Sequence, residues 1–481
     1  MSLSHALSFA TSGLTANARR AELISSNVAN AMTEGYGRRE LAVSAQTIGN
    51  AGAGVRIDGV VRHADPQLTA ARRNAGAETG YESQMQAAFR QIESLFGTSP
   101  DEPGLLQDFS RLTSALIAAE ADPASTPALE IVSDSFVAIA TALSRGTETM
   151  QSARSLADSQ IDTLVSALSA DLEQVAVINR SIQRAVFSGA ETSSLIDQRE
   201  KVLDRVSEIV PFQLLTREDG QVALLSRGGV LLVDATAADI SFETTPLITA
   251  GMDAEAGVPR PLLLGGQSFD LAAITGRLGG GSLAAAFEMR DAVFVEGQAR
   301  LDSFAAALLQ RLEDPALDPS NGVSNPGILT DAGASFDPAN VVGLTGRLQL
   351  NAALDPDAGG ATWRLREGIG ATTQAASGDG RLFARLRGSL GLGFAGGVAH
   401  QTTLYDSLSL DAARSAKSRV RAEDRQIAAQ ALFASLREAE AAKGVDTDYE
   451  LQLLMQVEQA FAANAKVIEV AGTLMQQLLE I

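Results

Sequence analysis

The sequence predicts a multidomain chain, mainly α with inserted β structure. Three observations lead there. At 481 residues the chain is too long for one core, and a prior of roughly 150 residues per domain suggests about three domains. The apolar share is 45% but aromatics are only 5%, which suits long helices with thin seams better than a thick core. Apolar residues recur every three or four positions over most of the chain, and that period breaks down over 211–281.

The first helix is predicted over 3–28. Leu3, Leu7, Ala10, Leu14, Ala21, Ile24 and Val28 step by three and four, with one polar seat at Asn17. This is a coiled-coil seam, and one so narrow buries little without a partner. The helix stops at NVANAMTEGYGRRE, residues 27–40. Beyond it Leu41, Val43 and Ala45, then Val55 and Ile57, alternate with polar residues around a glycine-rich turn, which predicts two strands. Asp65-Pro66 reads as a helix cap followed by proline. Helix is expected from there to about Val210, broken at 97–104 and 122–127, where Thr126-Pro127 repeats the cap signal. Between Ile161 and Val186 the spacing holds, with Asn179 in the seam. The segment 194–210 is a further amphipathic helix, with Leu195, Val202, Val206 and Val210 near one face.

At Pro211 the pattern turns to short apolar runs split by Asp219-Gly220 and Gly228-Gly229, both hairpin signals. A β unit is expected over 211–280, and helix again over 282–313. Residues 314–399 are rich in Gly, Pro, Asp and Asn; they read as loops with strands around 345–350 and 363–365. Helix resumes near Thr402 and runs to the end, with a break near Gly444. In the last helix Thr447-x-x-Glu450 reads as a capping box. Leu454, Val457, Phe461, Asn464, Ile468, Ala471, Met475 and Leu478 then form a second seam with one asparagine. The simplest partner for each terminal helix is the other, and docking on the main body would satisfy the same periodicity.

The residues offer little chemistry. A net charge of -20 argues against nucleic acid and against an anionic membrane surface. Of the 38 basic residues four are Lys, which leaves 34 Arg, a bias of base composition. With no cysteine there is no disulfide, thiolate nucleophile or Cys-based metal site. The N-terminus lacks the basic and long apolar regions of a Sec signal. No apolar run reaches the ~18 residues of a membrane span, so no membrane insertion is expected. His5, His63 and His400 stand apart, and no metal is expected. Neither a P-loop nor G-x-S-x-G occurs. The stretch 314–322, DPALDPSNG, lacks calcium-loop spacing and reads as a solvated loop. GLGFAG at 391–396 matches G-x-G-x-x-G, but a helical pattern precedes it where a strand is required. The chain is expected to be no enzyme and to need no cofactor.

Asn27-x-x-Asn30-x-x-Thr33-x-Gly35-Tyr36 resembles the N-terminal motif of bacterial flagellar rod, hook and hook-associated proteins, N-x-x-N-x-x-T-x-G-Y/F. The C-terminal stretch 445–481, with EQAFAANAKVI at 458–468, resembles the matching C-terminal motif, with Phe461 where Tyr is usual. Arg38 after Gly35-Tyr36, AEADPAS at 119–125 and LIDQREKVLDRV at 195–206 are similar to the FlgK family of hook–filament junction proteins. The resemblance implies a layered structural subunit. Residues 1–40 with 445–481 would form a coiled-coil inner domain. Residues 41–210 with 282–313 and 400–444 would form a spacer and long-helix core, 211–281 a small outer β domain, and 314–399 a loop-rich insertion.

It also implies export through the flagellar type III apparatus without a cleaved signal peptide, and an extracellular place at the hook–filament junction. The expected partners are the hook protein, the second junction protein, further copies in a ring and an export chaperone. A hook or rod protein of the same axial group is the alternative. Assembly would rest on Leu7, Leu14, Asn17, Ile24, Asn27, Asn30, Thr33, Gly35 and Tyr36 at one end, and on Leu454, Val457, Phe461, Asn464, Ile468, Met475 and Leu478 at the other. Gly35 would supply a positive-φ turn, Asn30 a helix end, and Tyr36 would pack the loop on the helix base.

Overall fold

The computed structural model describes residues 3–33, 35–48, 51–97, 102–254, 257–322, 325–391 and 403–479. The first half runs α1 (Leu3–Ala29), β1 (Arg38–Ile48), β2 (Ala51–His63), α2 (Pro66–Phe96), α3 (Leu105–Ala121), α4 (Thr126–Ser188) and α5 (Ser193–Ile209). Then come β3 (Phe212–Thr216), β4 (Val222–Ser226), β5 (Leu231–Val233), β6 (Ile240–Ser241), β7 (Leu262–Leu264), β8 (Gln267–Phe269) and α6 (Leu271–Ala273). The rest is α7 (Gly281–Glu288), α8 (Phe294–Leu312), β9 (Leu329–Asp331), β10 (Leu348–Leu350), α9 (Arg364–Glu367), α10 (Arg381–Gly391), α11 (Leu404–Ala442) and α12 (Thr447–Leu479). The chain is mostly helical with small antiparallel sheets.

The two chain ends pair. Asn27 of α1 meets Glu450 of α12, and Gly13 meets Asn464, so the helices run antiparallel. β1 and β2 form an antiparallel ribbon with Leu41 opposite Val60 and Val43 opposite Ile57. Ala16 and Leu23 of α1 pack on Leu41 of this ribbon. So α1 buries two faces, where the sequence displayed only one seam.

Beyond the ribbon, Asp65 caps α2 by accepting from the backbone N–H groups of Gln67 and Leu68. The cap of α4 is Ser125, one residue before the expected Thr126, and its hydroxyl accepts from Ala128 N. α4 and α5 enclose the left-handed turn at Gly189, φ 72°. α11 lies antiparallel on α2, with Lys443 on Asp65 and Glu440 on Arg72 at one end, and Arg419 on Glu93 at the other.

α4 is long and apolar enough by length and composition to cross a membrane, which the search for apolar runs missed. Here it is a core helix. Its first half buries Phe136, Ile139 and Leu143 in one apolar cluster with α3 and α8, and its second half buries Ile161, Leu168 and Leu172 in another with α5 and α7. A polar layer separates the two. Arg154 donates to the carbonyls of Arg290, Thr249 and Met252, and Arg290 pairs with Asp158 at 2.7 Å. All three side chains are buried; Arg290 and Asp158 are paired, and Arg154 spends its donors on carbonyl oxygens.

β3, β4 and β5 form one three-stranded sheet, and β6, β7 and β8 another. The turns at Gly220 and Gly229 take positive φ, 78° and 85°, as the hairpin signals predict. Asn179, placed by its spacing in a helix seam, instead pairs with β4. Its amide donates to Val222 O at 2.8 Å and its carbonyl accepts from Val222 N.

Residues 314–391 differ most from expectation. Trp363 to Leu365, expected as a strand, instead form the cap and first residues of the helical turn α9. The segment is loop-rich, yet Leu317, Leu344, Leu354, Leu365, Phe383 and Leu386 join the same apolar cluster as α3 and α8. It is part of that core. The 314–322 loop is not simply solvated either: Asp318 is buried and accepts from Ser320 N, Ser320 Oγ and Ile369 N. Of the GLGFAG match only Gly391 lies within the described residues, as the last residue of α10.

Candidate assembly joint at the base of the terminal helices

The residues of the N-terminal motif converge where α1 ends. Asn27, 0% exposed, is the centre. Its amide donates to Arg39 O at 2.8 Å and to Glu450 Oε2 at 3.1 Å. Its carbonyl accepts from the Tyr36 hydroxyl at 2.9 Å and from Arg39 N at 3.0 Å. One side chain therefore ties the end of α1, the motif loop, the start of β1 and the start of α12.

Glu450 completes the centre. It is 1% exposed, and Arg38 Nε donates to its Oε1 at 2.7 Å. The attraction pushes the Arg38 guanidinium upward against the opposing effect of burial, the larger single influence on it. The expected capping box at Thr447 and Glu450 does not form. Asp446 caps α12 by accepting from Asp448 N and Tyr449 N, and Glu450 is directed inward instead. The true capping box belongs to α11, between Thr403 and Asp406.

The loop is built by its own residues. α1 ends at Ala29, and Asn30 Nδ2 reaches back to Ser26 O at 2.9 Å. Thr33 donates to Asn30 Oδ1 at 3.3 Å. Gly35 takes φ 75°, and a Cβ there would come within 2.9 Å of Lys201 Cγ, so the position favours glycine twice over. Tyr36 lies under the Arg39 guanidinium, 4.9 Å from its ring centroid.

α5 closes the joint from below. Asp197 Oδ1 accepts from Gly37 N at 3.2 Å and Arg62 Nε at 2.8 Å, and Oδ2 accepts from Arg39 at 2.6 Å. Arg62 also donates to Gly35 O at 3.2 Å. Asp197 lies within the stretch LIDQREKVLDRV, residues 195–206. A usable signal is present: Asp197, Lys201 and Asp204 lie at i, i+4 and i+7 and so share one face of this amphipathic helix.

The seam residues are placed unevenly. Ile24 and Val457 are buried, and Leu7, Leu14, Leu454 and Ile468 are half-buried. Phe461 and Met475, read as seam positions, are 45% and 42% exposed. Leu478 lies on α12, but its side chain is outside the described residues. Asn17 lines a cleft of about 340 Å³ between α1, β1 and α12, with Arg20, Leu23, Leu41, Leu453 and Val457. Asn464 packs on Gly13. Among the described residues, no group of His, Asp or Glu side chains is arranged to hold a metal ion.

The comparisons fall on these same parts of the chain. Residues 89–314 match the model of the flagellar hook-associated protein FlgK helical domain. Residues 7–36 match the flagella basal body rod protein model, and 440–481 the flagellar basal body rod FlgEFG protein C-terminal model. The chain is 28% identical over 287 residues to flagellar hook-associated protein 1 of Salmonella typhimurium, covering 54% of this chain and 50% of that one. It is 24% identical over 240 residues to the protein of the same name from Bacillus subtilis, covering 47% of each. The matches thus span about half the length of these curated relatives. The structure of the flagellar hook junction protein FlgK from Burkholderia pseudomallei is similar at TM-score 0.44 and 19% identity, over 56% of this chain and 47% of that one. The helical-domain match on the core and the rod-type matches on both ends make the chain similar, part by part, to flagellar hook-associated and rod proteins.

Proposed function

We propose that this chain is a structural subunit joining hook to filament, assembled as a ring at the hook–filament junction after export through the flagellar type III apparatus. One observation carries the reading: the buried Asn27–Glu450 bond, which ties the two ends of the chain 423 positions apart. A subunit held this way completes its inner helix pair only when its last helix arrives. That suits a chain delivered unfolded through a narrow channel and folded where it assembles.

The outer surface of α12 supports the same reading. Phe461, Val467, Val470, Leu474 and Met475 are exposed along it. Neighbouring copies would cover them, so ordering of the terminal pair and polymerisation would reinforce each other. One end of the ring would meet the hook protein and the other the second junction protein, with an export chaperone shielding the chain beforehand. Before assembly the subunit is expected to be a monomer in solution, which sedimentation would check.

The deciding experiment is electron microscopy of cells lacking this gene. Hooks without filaments, with flagellin in the medium, is the expected result. Missing hooks would move the protein inward to hook or rod, and normal flagella would refute an axial role.

A further inference from the structure

The geometry assigns Asp197 a role as a pin: it fixes the angle between the terminal helix pair and the core, and α5 passes that angle on to the β unit. The apolar contacts cannot set this angle. Ala16, Leu23 and Leu41 form a small cluster of their own, separate from the two large clusters of the body. Without a shared apolar core, two bodies keep a fixed orientation only through their connections and polar contacts.

Asp197 supplies the most concentrated of those contacts. Both its oxygens are used, by Gly37 N and Arg62 on one and by Arg39 on the other. These three donors come from both strands of the ribbon and from the motif loop. The Asp197 side chain is only 10% exposed, so salt screens these bonds less than it screens exposed pairs. Around it Glu191 pairs with Arg19 at 2.9 Å and lies 4.0 Å from Arg39, both more exposed contacts.

The other face of α5 grips a different body. Arg199 is two residues on and so points to nearly the opposite side of the helix. It is buried, and it donates to Asn179 Oδ1 at 3.2 Å and to Gly220 O at 2.9 Å, at the β3–β4 turn. Glu200 and Asp204 meanwhile hold Arg73, and Asp204 also holds Arg72. One short helix therefore has the terminal unit fixed to one side, the β turn to the other, and α2 between. Tilting the inner pair must tilt α5 or break the Asp197 bonds.

The absence of cysteine makes the test direct. Spin labels placed through Gln459→Cys on α12 and Glu173→Cys on α4 report the distance between the two bodies in the isolated full-length chain. The expected result is one narrow distance at low salt, its loss to a broad distribution in Asp197→Ala, and an intermediate distribution in Asp197→Asn, which keeps one of the two acceptor oxygens and loses the charge. The melting transition of the helical core should stay in place. If Asp197→Ala disturbs that transition, Arg62→Gln tests the same bonds from the ribbon side. An unchanged narrow distance in the folded variants overturns the assignment, as does a broad distribution in the unsubstituted chain. The readout is taken in solution, so its failure leaves the junction reading untouched, and failure of that reading leaves the pin intact.

Discussion

Asn27 is the position whose substitution distinguishes a functional joint from an ordinary helix end. Its fully buried side chain makes four hydrogen bonds at 2.8–3.1 Å, to partners that are buried or partly so. Each is worth about 1 kcal/mol net. Asn27→Ala also leaves the buried Glu450 carboxylate with Arg38 as its remaining partner. Water entering from the adjacent cleft would recover part of the loss, since a bridging water is nearly as good a partner as the group it replaces. The expected cost is therefore about 2–3 kcal/mol.

Asn27→Asp, nearly identical in shape, should cost more than the alanine change. It replaces the amide donor with a carboxylate at the 3.1 Å position opposite Glu450, and two buried like charges at that distance repel strongly. The assay is hydrogen exchange of the α1 and α12 amides, which reads local opening of the terminal pair separately from the body. Protection that falls in the order wild type, alanine, aspartate is the expected outcome. Aspartate protecting as well as asparagine would refute the reasoning, because Asn27 would then not be facing a buried charge.

Three further outcomes follow from the same structure. Gly35→Ala should cost about 1–2 kcal/mol through its positive φ alone, seen as a lowered urea midpoint; an unchanged midpoint would mean the loop relaxes freely. Glu82 is 2% exposed, its Oε2 has no hydrogen-bond partner, and its nearest cation, Arg425, lies at 3.4 Å. Burial, with Glu78 and Glu288 nearby, raises its pKa above the ordinary 4.5 despite Arg425. The ionised form is therefore disfavoured by folding, and stability falls as pH rises from the unfolded pKa through the folded one. Glu82→Gln should stabilise by about 1 kcal/mol at pH 7 and by less as the pH falls toward 4.5, measured by denaturant midpoints at two pH values; a gain that grew on acidification would contradict it. Leu14→Asp and Ile468→Asp place a charge on half-buried seam positions. Each should block incorporation into flagella while the helical body still melts cooperatively, and normal incorporation of both would dismiss the seam.

How far these features were legible in sequence depended on whether their cause was local. α1, α2, α4 and α12 followed from apolar period and from Asp65-Pro66, because a helix seam and a cap are written within a few residues. Glu450 was misread for the same reason. Thr447-x-x-Glu450 satisfies a local pattern, but Asp446 does the capping and Glu450 answers to a residue 423 positions away. The layer of Arg154, Asp158 and Arg290 was invisible, since only the fold brings positions 132 apart together. Residues 314–391 contribute to the main core with scattered leucines that have no period to detect.

The pairing of α1 with α12 needs more than complementary seams. A seam repeating every seven residues can slip by one heptad and still bury comparable surface, so apolar contact alone specifies register weakly. Neither seam asparagine, Asn17 or Asn464, makes a side-chain hydrogen bond to a described residue. Two contacts do discriminate, one of them through the bulk of Asn464. Asn27 meets Glu450, and Gly13 meets Asn464 so closely that an added Cβ would lie 2.9 Å from its amide nitrogen. The members of each helix are fourteen residues apart, 27 less 13 and 464 less 450, which is two heptads. A slip of seven would remove the bulky amide from its glycine and strand Asn27 and Glu450 without each other, leaving a carboxylate buried beside apolar groups. The polar bond and the steric notch thus reject the same wrong registers from opposite ends. Under the proposed junction role, a joint formed anew in each exported copy would gain from that redundancy, because a misregistered pair would present the exposed stripe of α12 to neighbouring copies at the wrong height.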